Sequence, residues 1–186
     1  MSSKSLDINQ SIDWLNRGNI LAHPTEGVWG LGCNAFDELA FKKIYDLKKR
    51  DRKKSFILLV NSYQSIEKYI TKISKADIDY LNEYWPGPVT FLIQYNNNLP
   101  EHLQNETGKI AVRVSNHLPI KALIKGFNGI MVSTSANISG EAIINDPEKI
   151  MLTFDDDGTA FYNEDLGKLK KPSKIIDLTS RAIIRN

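Results

Sequence analysis

Five consecutive apolar residues, Phe56-Ile57-Leu58-Leu59-Val60, constrain the fold more than any other stretch of the chain. The run is of strand length and has no polar position to turn to water, so it reads as a buried strand. Asn19–His23, Val89–Tyr95, Ile110–Val114 and Ile130–Thr134 read the same way. Helical patterns separate them. Ile8, Ile12 and Leu15 recur at helical spacing before a stop at Gly18, and Leu39, Ile44 and Leu47 form a second amphipathic stripe with Asp37 near its start. Ser62–Ile70 and Ser74–Trp85 read as helices, the latter with Ser74 and Asp77 at capping-box spacing. Pro119–Lys125 carries proline in its first turn, and Asn145-Asp146-Pro147 opens a short helix through Phe154. Ile175–Leu178 and Ala182–Ile184 close the chain as short strands. This alternation predicts an α/β layer architecture, and the tight join from Asp177 to Ile184 predicts antiparallel pairing, hence a mixed sheet. No repeat or linker divides the chain, so one domain over residues 1–186 is expected.

Composition adds limits. Hydrophobic residues make up 41% of the 186 and charged residues 25%, the balance of a globular chain. The net charge of +2 conceals an uneven distribution. Lys42–Lys54 holds eight Lys/Arg against two Asp, a net of +6, which leaves sixteen against twenty, −4, in the rest of the chain. The single cysteine, Cys33, allows no intramolecular disulfide and no multi-cysteine metal site, and it favours a cytoplasmic location. Met1–Leu15 lacks the apolar block of a signal peptide, and no window approaches 18 apolar residues. No membrane association is expected.

Several chemistries are excluded by pattern. There is no G-x-x-x-x-G-K-[ST] loop, and Gly27-Val-Trp-Gly30-Leu-Gly32 runs opposite to the dinucleotide fingerprint. His23, His102 and His117 lack metal-ligand spacing, so no protein metal site is expected. Cys33 reads as a small buried thiol, and Ser65-Ile-Glu-Lys68 as a solvated helix face. The positive signals sit at strand ends, where open α/β sheets place their ligands. They are Pro24-Thr25-Glu26-Gly27; the basic run Lys48–Lys54; Trp85-Pro86-Gly87-Pro88-Val89-Thr90, a rigid corner ending on a hydroxyl; Ser133–Gly140, rich in hydroxyls and amides; and Pro172-Ser173-Lys174. Arg113 lies within the strand Ile110–Val114, where burial is costly unless the charge is paired, so it is expected to point into a polar cleft.

Taken in chain order, HPTEGVWGLGC (His23–Cys33), LKKR (Leu47–Arg50) with Lys54, WPGPVT (Trp85–Thr90), AVRV (Ala111–Val114), STSANISG (Ser133–Gly140) and PSKIID (Pro172–Asp177) resemble the YrdC-like family of threonylcarbamoyl-AMP synthases. The family's K-x-R and S-x-N signature falls on Lys48, Arg50, Ser135 and Asn137. The resemblance implies a twisted, open mixed sheet with flanking helices and a concave basic face, in the short single-domain form. It implies an enzyme that joins L-threonine, bicarbonate or CO2, and ATP into threonylcarbamoyl-AMP and pyrophosphate. A separate tRNA threonylcarbamoyl-transferase complex would consume the product. Lys48 and Arg50 are implied as catalytic and phosphate-binding groups, and Thr90, Ser133, Ser135 and Asn137 as further ATP contacts. Thr25, Lys54, Arg113 and Ser173 are implied around threonine and its carbamate. Mg²⁺ is expected with ATP, held by phosphates more than by protein. Asp51 stands where the family commonly has proline, and an acid there is expected to tether Arg50 or Arg52.

The rival reading is an RNA-binding protein, for double-stranded RNA or tRNA, that uses the same basic face. Gly126-Phe-Asn-Gly129 has the spacing of a KH loop, but it leads into a strand where KH requires a helix. A third reading is a YrdC-like binding or carbamoyl-transferring module that makes no adenylate.

Overall fold

The structure, a computed structural model, describes residues 4–186. The first three residues of the Met1–Leu15 segment lie outside the described residues. In chain order the elements are β1 (Ser5–Leu6), α1 (Ile8–Asn16), β2 (Ile20–His23), β3 (Gly30–Asn34), α2 (Glu38–Leu47), β4 (Ile57–Leu59), α3 (Lys75–Tyr84), β5 (Val89–Gln94), β6 (Lys109–Arg113), α4 (Leu118–Phe127), β7 (Met131–Ser135), α5 (Pro147–Thr153), β8 (Thr159–Tyr162), β9 (Lys174–Asp177) and β10 (Ile183–Arg185). The ten strands form one sheet in the order β1-β8-β2-β3-β7-β4-β6-β5-β9-β10. It is mixed as expected: β4 and β6 pair in parallel, while β3 and β7, β5 and β6, and β9 and β10 are antiparallel.

Helix starts follow local chemistry. The Asp37 carboxylate accepts the Ala40 amide at 2.9 Å, and Ser74 and Asp77 form a reciprocal capping box. Asp7 with Gln10 forms another, and Asp146 caps α5 ahead of Pro147. Asn128 ends α4 in the left-handed region at φ 52°.

Strand register sorts the side chains into two layers. On one face Phe91, Val112, Leu58, Val132 and Cys33 stand in adjacent positions and pack in a core closed by Phe41 and Ile44 of α2, Leu81 of α3 and Ile150 of α5. On the other face Leu21, Leu59 and Met131 join a second core with Leu15 of α1 and Ile120, Leu123, Ile124 and Phe127 of α4. That second layer covers only one end of the strands. Two residues along each strand, Leu92, Ala111, Ile57 and Ser133 lie side by side in register on the same face and meet a cleft. The functional face is therefore the part of the sheet that α1 and α4 leave bare.

Several expectations need correction. Ser62–Ile70 forms two 3₁₀ turns, Tyr63–Ser65 and Glu67–Tyr69, because Ser62 makes no side-chain cap and Ile70 is drawn into a bridge with Tyr95. The glycine-rich Gly30–Asn34 is a central strand with no β-branched residue to announce it. Thr159–Tyr162 and Ser5–Leu6 are strands too short for periodicity to reveal. Asp51 tethers neither arginine: its carboxylate accepts the Lys53 amide, and Arg52 pairs with Asp46 at 3.0 Å. Among the described residues, no helix is long and apolar enough to cross a membrane.

Candidate active site

The cleft occupies about 270 Å³ over the bare sheet face. Six of the side chains singled out from sequence line it: Thr25, Arg50, Arg113, Ser133, Ser135 and Ser173. They come from segments as far apart in the chain as 25 and 173, and strand order brings them together.

At the β2 end, His23 is wholly buried, and burial pushes its imidazole down to about 4, so the ring is neutral. Nδ1 lies 3.3 Å from the Pro24 carbonyl, which can only accept, so Nδ1 carries the proton. Nε2 then accepts from the Ser133 hydroxyl at 3.2 Å. Ser133 is thereby left with lone pairs toward the cleft, suited to an N–H of a ligand. Gly30 makes this possible: a Cβ there would stand 2.8 Å from the His23 ring and 3.1 Å from Ser133 Oγ. The reversed glycine pattern thus clears room for a side-chain pair. Gly30→Ala is expected to lower stability by about 1–3 kcal/mol through overpacking, read as a lower urea midpoint.

Arg113 is 5% exposed and still faces the cleft. It forms a buried ion pair with Glu26, and its Nε donates to the Gly87 carbonyl at 3.3 Å. Burial, with Arg185 nearby, pushes its guanidinium down to about 10, so it keeps its charge at neutral pH. The corner Trp85–Pro88 supplies that carbonyl, through a cis bond between Trp85 and Pro86. Ser173 lies where Thr90 Oγ1 meets its hydroxyl at 2.8 Å, with Arg185 Nη2 at 3.2 Å from the same oxygen.

Arg50 lines the other side. Its guanidinium donates to the carbonyls of Lys54 (3.2 Å) and Ser55 (3.0 Å) and lies 5.2 Å from the centre of the Phe56 ring. The loop after α2 is folded back on itself, which holds this arginine against the cleft.

The remaining predicted residues sit behind or beside the surface. Lys48 is 1% exposed, and its ammonium donates to the carbonyls of Ser135 (2.5 Å) and Asn137 (2.6 Å). Burial, with Arg50 beside it, pushes Lys48 down to about 7. Asn137 accepts from Ser135 Oγ at 2.6 Å and donates to the carbonyls of Ile138 and Glu141. These two residues shape the Ser133–Gly140 loop from within. Thr90 is fully buried and reaches the cleft only through Ser173. The Lys54 side chain is exposed, and its carbonyl serves Arg50 and Tyr45. Cys33 is buried in the opposite core, where burial pushes its thiol up and away from reactivity.

Sequence reasoning missed three contributors. Glu26 sat inside a marked motif, but its partner is 87 residues away. His23 carried no ligand spacing. Arg185 lies in a short closing strand with nothing to single it out.

A larger cavity of about 520 Å³ lies on the opposite face, between α2 and residues 101–105. Several of its polar groups are already paired: Glu38 with Lys42 at 2.6 Å, Arg52 with Asp46, and His102 with the Ala35 carbonyl. It shares Ser55 with the cleft but has none of Thr25, Arg50, Arg113, Ser133, Ser135 and Ser173 in its lining.

The sequence matches the Sua5/YciO/YrdC family, described as "Telomere recombination", over residues 13–186. Threonylcarbamoyl-AMP synthase of Buchnera aphidicola subsp. Schizaphis graminum is 39% identical over 168 residues, 89% of this chain and 88% of that protein. The enzyme of the same name from Cellvibrio japonicus is 33% identical over 178 residues, 96% of this chain and 94% of that one. Among solved structures, P. abyssi Sua5 complexed with L-threonine superposes with a TM-score of 0.84 at 27% identity. That match covers 92% of this chain and 51% of Sua5, so the chain spans about half the length of that protein. E. coli YciO shares the fold, with a TM-score of 0.84 over 98% of this chain and 92% of its own. By sequence over almost its whole length and by fold, the chain belongs to the Sua5/YciO/YrdC family and is a homologue of its threonylcarbamoyl-AMP synthases.

Proposed function

We propose that the chain is an L-threonylcarbamoyladenylate synthase, a nucleotidyltransferase that works as one domain over residues 1–186. The observation that carries this is the cleft itself: three guanidinium groups, Arg50, Arg113 and Arg185, on a floor of hydroxyls, with no cysteine and no carboxylate among its lining residues. The reaction needs no protein nucleophile. The threonine amine adds to CO2, or to bicarbonate with loss of water, and gives a carbamate. A carbamate oxygen then attacks the α-phosphorus of ATP, and the bond to the β-phosphate oxygen breaks, releasing pyrophosphate.

The chain's part is positioning and charge neutralisation. Arg50 takes the phosphates, with Ser133 and Ser135 beside it. Arg113, Thr25 and Ser173 take the threonine carboxylate and carbamate. Lys48 and Asn137 support this loop from behind, Thr90 supports Ser173, and Lys54 stands at the rim. Mg²⁺ enters with ATP as part of the substrate.

The product is a mixed anhydride, so its consumer is an acyl-type transferase: the complex that modifies adenosine in tRNA. The cytoplasm is the proposed setting, as expected of a chain whose one cysteine allows no intramolecular disulfide. A second reading, tRNA or other RNA binding, is favoured by the exposed Lys49, Lys53 and Lys54 in the loop that carries Arg50 and by the exposed Lys168, Lys170 and Lys171 just before Pro172 of the cleft.

Pyrophosphate release by purified protein tests the proposal. Release is expected only with threonine, bicarbonate and ATP together. Arg50→Ala is expected to lower it at least 100-fold, in line with loss of one electrostatic donor to a transition state. Release that ignores threonine would refute the substrate assignment.

A further inference from the structure

We propose that Glu26 is a positioning residue that fixes the edge of Arg113 turned toward the amino-acid substrate. This rests on the synthase reading. The Arg113 guanidinium is held on two sides, by the Gly87 carbonyl at Nε and by Glu26 Oε2 at Nη2. Among the described residues no acceptor meets Nη1, and Arg113 lines the cleft. The free edge is a planar pair of donors of the kind that carboxylates engage.

Glu26 is itself fixed. Its second oxygen accepts from Ser115 Oγ at 2.8 Å and from the Asn116 amide at 3.1 Å. Its backbone carbonyl accepts the Leu169 amide at 2.9 Å, and the Gly167 amide bonds to Thr25 at 2.8 Å. Gly167 lies so close that a Cβ there would stand 2.4 Å from the Glu26 carbonyl oxygen. The 115–116 segment therefore clamps the carboxylate, the 167–169 segment clamps the backbone that carries it, and the carboxylate in turn clamps one guanidinium. Thr25, the preceding residue, faces the cleft. The Thr25 hydroxyl closes the turn by donating to the Val28 carbonyl at 2.7 Å, so the Pro24–Gly27 turn sets one residue in the cleft wall and sends an acid behind it to hold the arginine.

Arg185, beside Ser173 in the same cleft wall, adds a positive charge at the amino-acid end. Loss of the Glu26 clamp should loosen the Arg113 end of the cleft and leave Arg50, held by the carbonyls of Lys54 and Ser55, alone.

Steady-state kinetics of Glu26→Gln, which keeps size and an acceptor oxygen, give the test. We expect kcat/KM for threonine to fall tenfold or more while KM for ATP stays within twofold. Ser115→Ala, which removes a bond to Glu26 without touching Arg113, should shift the threonine parameter the same way by a smaller factor. A merely structural Glu26 would lower both substrates' parameters together, and that outcome, or an unchanged threonine kcat/KM, would overturn the inference. Threonine-induced thermal stabilisation, read with ATP present, supplies a measure apart from turnover. It should weaken in Glu26→Gln, and equal stabilisation in both proteins would also overturn the inference. A wild-type protein that neither turns over nor is stabilised by threonine would overturn the synthase reading, and this inference with it.

Discussion

Arg113→Met is expected to cost about 3–5 kcal/mol of folding stability, because it strands the Glu26 carboxylate as an unpaired buried charge. It should also remove threonine-dependent turnover. Both partners are under a tenth exposed, so water cannot take over the lost interaction. The Ser115 and Asn116 bonds to Glu26 persist, but they solvate a charge without balancing it. The two losses have different sources and can be separated. Adding Glu26→Gln to Arg113→Met removes the stranded charge, so the double variant should recover most of the stability seen in urea titrations. It should recover none of the activity, since the carboxylate-binding edge is still missing. Stability in the single variant within about 1 kcal/mol of wild type would show that the ion pair is worth no more than an exposed one.

What the sequence revealed, and what it hid, follows from range. Apolar runs such as Phe56–Val60 and capping pairs such as Ser74 with Asp77 are local, and the helices and core strands they announce are present. The site motifs were legible because each sits at a strand end, and Thr25, Arg50, Arg113, Ser133, Ser135 and Ser173 do meet in one cleft. Their individual duties were not legible. Lysine at position 48 looks like any solvent-facing base in a basic run. Only the return of β7 beside β3 and the fold of the following loop place two carbonyls around its ammonium. The same holds for Glu26, whose partner Arg113 is brought near by sheet order. Gly30 was legible as unusual, but its purpose depends on the His23 ring across the β2–β3 ladder. β8 and β1 escaped because four and two residues carry too little pattern.

The buried position of Lys48 leads to a proton-linkage prediction. Its proton is held less tightly in the folded protein, at about 7, than in an unfolded chain, where lysine keeps its usual value near 10.4. Between these values the unfolded state binds more protons, so this residue's contribution to stability rises with pH above 7. The neutral amine loses little locally. Its two N–H groups still serve the carbonyls of Ser135 and Asn137, and the 3.5 Å contact to Asn137 Oδ1 is backed by the Ser135 hydroxyl. An ATP polyphosphate on Arg50 reverses the balance, since negative charge nearby favours the ammonium. Nucleotide binding at pH 8 is therefore expected to take up protons. Titration calorimetry in two buffers of different ionisation enthalpy would show this as a buffer-dependent heat. Lys48→Met should abolish that dependence, and it should cost about 1–3 kcal/mol for the Asn137 carbonyl left without its donor, since the Ser135 carbonyl keeps the Asn137 amide at 3.0 Å. With the Ser135 and Asn137 carbonyls no longer tied to the end of α2, turnover should fall about 100-fold or more, the scale of a misplaced catalytic contact. Heats that match in both buffers for the wild-type protein would mean that Lys48 stays charged throughout, and that its two carbonyl bonds outweigh the cost of its burial.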